Sequence, residues 1–409
     1  MHSLYLFLSN TLFFLTLGAS SPQPSVPCTI TVQSKGYEVY DDAPAINSAI
    51  RNCRSGTILL PEGQNFSIRS VVDFSPCLGC DIQLEGTLLM SDDWTAWVDK
   101  MAYIYSRGTR GLSIRSLTGK GVINGHAKGW YQRYHSFTVP DRWEYQAPLF
   151  LIENSKDVKI SNIRLENAPR EFFRVDGGNV GVHFTDLDIV VEDQWYQEVY
   201  TRWETSAFQF RNSSSISLSN INVAFSASPI PHPTTHGTGA CVMLDWGLND
   251  VSISDISCSG TFFGVMMQFG GVDMDKCIPP APEEAQVSNN ILIRNYLASS
   301  DHNAGFLHHF QYARPQIYNL TYDNVTFVSG AYLENSENYD WPLYCVYRYG
   351  VTQRWNFTDI WFKNLRGNLG VPNEKSPVFC KTYDCLNAWG GGVFDFHFEG
   401  IPVYTPSLK

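Results

Sequence analysis

Short segments in which apolar residues alternate with polar ones recur along this chain, each built around a central Asn or Asp. The clearest copies are VKISNIRL (158–165), VGVHFTDLDI (180–189), SISLSNINV (215–223), DVSISDISC (250–258), NILIRNYL (290–297), IYNLTYDNVTF (317–327) and NFTDIWF (356–362). With Asn162, Asp186, Asn220, Asp255, Asn295, Asn324 and Asp359 as equivalent positions, the intervals are 24, 34, 35, 40, 29 and 35 residues. Such spacing predicts coils of about three strands with loops of variable length, stacked as a parallel β-solenoid. An antiparallel sandwich also alternates at this scale, but hairpin signals between adjacent strands are scarce, and the one Asn-Gly, Asn124-Gly125, sits in another context.

The stretch 204–271 carries ETSAFQF (204–210), GACVMLDWG (239–247) and CSGTFFGVMMQFGG (258–271), three apolar strands each followed by turn residues. These coils are expected to floor any working cleft. Upstream, DDAPAINSAIRNC (41–53) places an Asp at a helix N-cap, Pro in the first turn, and Ile46, Ala49, Ile50 and Cys53 at helical spacing. One amphipathic helix is predicted there, capping the open end of the solenoid. GTILLPEG (56–63) and DIQLEGTLLM (81–90) read as the first strands, with 21–40 as a lead-in and 41–409 as one all-β domain.

Composition narrows the partners. The chain of 409 residues is 44% hydrophobic and 17% charged, so a large core is available. A formal net charge of −11 argues against nucleic acid and anionic membrane, which require a basic footprint. Residues 1–20, with the apolar run LYLFLSNTLFFLTLGAS (4–20), read as a secretory signal too short for a membrane span, and a secreted, soluble, monomeric product is expected. The ten cysteines, an even number, favour disulfides in that setting. A zinc site at Cys77-Leu-Gly-Cys80 would need a second Cys or His pair that the sequence lacks at finger spacing, so no metal and no cofactor is expected. Five sequons, at Asn65, Asn212, Asn319, Asn324 and Asn356, agree with export. Aromatic residues make up 14% of the chain, and those in loops suit either sugar rings or core packing.

Taken together, DDAPAINSAIRNC followed by GTILLPEG, GKGVINGHAKGWY (119–131) and IENSKDVKISNIRLENAP (152–169) resemble framework segments of the polygalacturonases, glycoside hydrolase family 28. The resemblance implies a right-handed parallel β-helix acting on pectic carbohydrate, a disulfide between Cys241 and Cys258, and a C-terminal pair of Cys380 with Cys385. The family's four motifs, NTD, DD, GHG and RIK, are replaced: ETSAFQF puts Ser206 at the first aspartate, GACVML puts Gly239 and Ala240 at the paired aspartates, TFFG puts Phe263 at the histidine, and GFLHH (305–309) stands in place of RIK, with His309 at its lysine. An inverting mechanism needs a positioned acid and base, each contributing roughly 10²- to 10⁴-fold. Ordinary polygalacturonase activity is therefore not expected.

A different polar set lies in the same coils. Glu204, Asp245 and His309 are the candidate catalytic residues, and Arg202, His236, Phe263, His308 and Tyr312 the candidate groove residues. Glu204 serves as acid or base if burial raises its pKa, or is a solvated, arginine-paired groove residue. Asp245 either joins the chemistry or caps a turn. Adjacent histidines on a strand point to opposite sides, so at most one of His308 and His309 faces the groove. Two functions follow as expectations: a divergent glycosidase or binding pseudoenzyme that engages pectic or related carbohydrate, with a neutral substrate favoured by the missing RIK motif, or a groove recruited for isomerisation or cyclisation of a small metabolite. Phe263, Met266, Met267 and Phe269 motivate the second, unless alternate positions simply pack inward.

Overall fold

The computed structural model of the protein describes residues 28–36, 39–127, 147–194, 206–227, 238–269, 287–300, 303–310, 316–329, 343–346, 356–367 and 393–399. Within them the chain is a right-handed parallel β-helix. Two parallel sheets run its length, one of sixteen strands and one of nine.

The recurring Asn and Asp positions explain the coil. Asn162, Asp186, Asn220, Asp255, Asn295, Asn324 and Asp359 all lie in the left-handed region, with φ between 50° and 60°. Asn and Asp enter this region more readily than other residues with a side chain. Each one bends a long strand, such as Ser213–Ala227, into two halves. The bend also resets the alternation. In Lys156–Glu166 the buried residues are Val158 and Ile160 before Asn162, then Ile163 and Leu165 after it, so both halves face the core. Together with one strand of the smaller sheet, the halves make the three-stranded coil that the spacing predicts.

Stacking of coils aligns these positions. One inward row runs Ile160, Phe184, Leu218, Ile253, Ile293, Tyr322 and Phe362, each in register with the next. At roughly 1.5–3 kcal/mol per buried large apolar side chain, such rows dominate stability. At the bends the side chains form a ladder: Asn295 Nδ2 donates to Asp255 Oδ1 at 2.9 Å, and Asn324 Nδ2 to Asn295 Oδ1 at 2.8 Å.

Helix α1 (Ala43–Asn52) buries Ala43, Ile46, Ala49 and Ile50 against the first coils. Its capping differs from the simple expectation. Asp42 is the N-cap but makes no side-chain cap bond. Its carboxylate instead accepts from Ser34 Oγ at 3.0 Å, the Lys35 N–H at 3.1 Å and the Ser67 N–H at 3.0 Å, tying the preceding segment to the sheet. Asp41 takes over at the helix, accepting from the Ala43 N–H at 3.1 Å. The larger sheet also begins earlier than GTILLPEG, because Thr29–Thr31, within the stretch read as a lead-in, pairs in parallel with Thr57–Leu60. DIQLEGTLLM divides into Asp81–Leu84 and Thr87–Met90.

Disulfides join Cys28 to Cys53, Cys77 to Cys80 and Cys241 to Cys258. The last links the two sheets across the core, and is the pairing that the family resemblance implied. Cys380 and Cys385 lie outside the described residues.

Candidate active site on the smaller sheet

The smaller sheet consists of short strands, and its outward positions repeat every 34 or 35 residues in the middle coils. Phe150–Glu153 pairs with Phe173–Asp176, which pairs with Phe208–Phe210, then Thr238–Leu244, Thr261–Phe269 and Asn303–Phe310. Inward residues such as Phe173, Phe208, Phe210, Val242 and Leu244 belong to the core. Alternation turns their neighbours outward. One outward row is Tyr105, Leu151, Arg174, Gln209, Met243 and Met266. Beside it run Arg107, Glu153, Asp176, Arg211 and Asp245, the last two carrying the register one residue beyond Phe210 and Leu244.

These residues form a connected polar network. Glu171 is buried and accepts from Arg174 Nη2 at 2.8 Å, with Arg170 Nε at 3.1 Å. Burial opposes its charge, yet the two guanidinium groups hold the carboxyl below the usual range. Arg174 Nε donates to Gln209 Oε1 at 3.1 Å, and Gln209 Nε2 donates to Asp245 Oδ2 at 2.9 Å. Arg211 Nη2 donates to Asp176 Oδ2, and its guanidinium carbon lies 5.9 Å from the centre of the Trp246 ring. Further along, Tyr105 Oη donates to Glu153 Oε2 at 2.7 Å, and Arg107 Nε lies 3.7 Å from the same oxygen. Burial, reinforced by Glu153, pushes the Tyr105 hydroxyl up to about 12.

Asp245 is the unusual group. It is 6% exposed, its Oδ1 has no hydrogen-bond partner among the described residues, and burial raises its carboxyl to about 7 despite the opposing pull of Arg211 and Gln209. A carboxylic acid that keeps its proton near neutrality can donate it. Among the described residues it caps no turn, the alternative its sequence position suggested, and its carboxyl instead bonds across the sheet to the preceding coil.

The other candidates divide clearly. Glu204, Arg202, His236 and Tyr312 lie outside the described residues. Phe263 stands in Thr261–Phe269, in register with Ala240 and Asn303. His308 and His309 are in register with Met267 and Gln268, and Met267 with Leu244. The same register, continued by one residue, puts His309 in the row of Asp245, two strands further on. Ser206 is buried, and its Oγ accepts from the Ala240 N–H at 3.1 Å, so two positions that resemble the family's aspartate sites meet on adjacent coils as a structural hydrogen bond. The sequon residues Asn65, Asn212, Asn319 and Asn324 are exposed and Asn356 partly buried. Asn319 and Asn324 are ladder residues that donate to Asn290 and Asn295.

Sequence reading missed Arg174, Gln209, Asp176, Arg211 and Glu171, and centred the cleft on 204–271 although the charged row begins as far back as Arg107. The repeat interval held the signal: 34 or 35 residues separate Asp176 from Arg211 and Arg211 from Asp245.

Fold and network together define a parallel β-helix with a titratable carboxyl in a polar row along one sheet. The profile of Glycosyl hydrolases family 28 matches residues 51–262. A probable endo-xylogalacturonan hydrolase A of Aspergillus niger is 30% identical over 422 residues, covering 98% of this chain and 93% of that protein. The chain belongs to glycoside hydrolase family 28. A probable endo-xylogalacturonan hydrolase A of Emericella nidulans is 32% identical over 256 residues, a match that covers 62% of this chain but only 59% of that relative. The crystal structure of endo-xylogalacturonan hydrolase from Aspergillus tubingensis superposes with a TM-score of 0.67 at 23% identity, covering 91% of this chain and 92% of that one, and so shares its fold.

Proposed function

We propose that the outer face of the smaller sheet binds pectic or related carbohydrate and that Asp245 is the proton donor of a rebuilt glycosidase site. The observation that carries this reading is the buried carboxyl of Asp245, raised to about 7 and with one oxygen unpartnered among the described residues. Asp176 stands two coils away in the same row. With 4.7–4.9 Å between strands, the backbone separation is roughly 9–10 Å, at the upper end of the range that leaves room for water in an inverting site. In this scheme Asp245 gives its proton to the glycosidic oxygen as the C–O bond breaks. Water attacks the anomeric carbon from the opposite side, and its proton passes to Asp176. Exchange with solvent then restores both groups.

Arg107, Arg174 and Arg211 are each already engaged by a carboxylate, which favours an uncharged sugar beside the acid. The relatives are named for xylogalacturonan, and that polysaccharide is the first substrate to test, beside homogalacturonan. Product masses and reducing ends report cleavage, and calorimetry reports binding. Asp245→Asn is expected to lower kcat by at least about 100-fold with binding retained. Binding without cleavage by the unaltered protein refutes the hydrolase and leaves a carbohydrate-binding protein. Conversion of a small metabolite to a product of unchanged mass, with no glycan bound, supports the isomerase reading instead.

The three described disulfides suit an oxidising compartment and support an extracellular site of action.

A further inference from the structure

The orientation of Gln209 is forced by its neighbours. An arginine Nε–H can only donate, so the atom facing Arg174 at 3.1 Å must be the amide oxygen of Gln209. The amide nitrogen therefore points the other way, and it also can only donate. It meets Asp245 Oδ2 at 2.9 Å. A carboxyl oxygen that accepts this bond serves best as the carbonyl oxygen of the acid, which leaves the hydroxyl to the other oxygen. That other oxygen, Oδ1, is buried with no partner among the described residues.

We infer that Gln209 is a positioning residue that, held by the Glu171–Arg174 pair, directs the acidic proton of Asp245 onto Oδ1, the carboxyl oxygen with no other hydrogen bond among the described residues. This inference rests on the reading of Asp245 as the acid. Gln209 touches no reacting atom in this scheme and works through Asp245 alone. The same bond favours the ionised form of Asp245, so Gln209 also tempers the rise that burial produces. The other charged groups facing Asp245 are Arg211 on the adjacent coil, with Asp176 and Arg174 one coil beyond. On the opposite side, register places Gln268 and then His309 in the same row.

The test compares Gln209→Leu and Gln209→Glu with the unaltered protein in the full chain. Two readouts run in parallel: the carboxyl titration of Asp245 by NMR on protein labelled with ¹³C-aspartate, assigned by its disappearance in Asp245→Asn, and the pH profile of kcat on xylogalacturonan. Loss of the donor in Gln209→Leu is expected to raise the Asp245 midpoint by about one pH unit. Gln209→Glu keeps the volume and the partnership with Arg174 but presents an acceptor to Asp245, and is expected to raise it further. The alkaline limb of kcat should follow in both variants, with kcat reduced about tenfold and KM little changed. An Asp245 midpoint that stays put in both variants overturns the role of Gln209, whatever the activity does. A midpoint that moves while the kcat limb does not removes Asp245 as the acid, and the catalytic role of Gln209 with it. The two failures are thus told apart.

Discussion

Asp245→Asn separates the consequence of a buried carboxyl for stability from its consequence for catalysis. In the folded protein burial raises this carboxyl to about 7, against the ordinary 3.8 of an exposed aspartate. Below about pH 4 the carboxyl is protonated in both the folded and unfolded chains, and its burial carries no electrostatic penalty. As pH rises through the interval, the unfolded chain releases its proton first and gains relative to the folded one. Stability therefore falls with rising pH, by at most about 1.4 kcal/mol per pH unit from this group. A pKa moved from 3.8 to about 7 corresponds in full to about 4 kcal/mol, lost by pH 7 to 8. Asparagine keeps the volume and the acceptor for Gln209 but does not ionise. The variant should match the parent most closely at pH 4 and gain on it steadily toward pH 8. Urea unfolding at four or five pH values, followed by circular dichroism and extrapolated linearly, measures the difference. Parallel stability curves from pH 4 to 8 would refute the assignment of a raised pKa and remove the main support for an acid at this position.

Two further predictions test the frame that holds the site. Ile253→Ala, in the inward row between Leu218 and Ile293, should destabilise by about 2–5 kcal/mol through loss of buried surface and the cavity left behind, with a change below about 1 kcal/mol placing the row outside the core. At Asn220, where φ is 54°, Ala should destabilise by about 1–2 kcal/mol and Gly by less, since Gly adopts this conformation without strain; equal losses in the two variants would mean that the ladder bond to Asp186, not the backbone, sets the preference.

Local chemistry by itself determined the solenoid. The interval between equivalent Asn and Asp residues, the alternation on either side of them and the amphipathic spacing of Ile46, Ala49 and Ile50 are read within single segments, because each reflects a backbone preference or one buried face. The Asn and Asp repeats carried the most information, since a left-handed bend tolerates few residue types and so marks the sequence. The network of Glu171, Arg174, Gln209 and Asp245 was decided only by the tertiary structure. Its members sit on strands of three to seven residues or beside them, too short for alternation to declare which side faces out. Variable loops obscure which residues stack from coil to coil, and the burial that raises Asp245 comes from packing across coils that no single segment encodes.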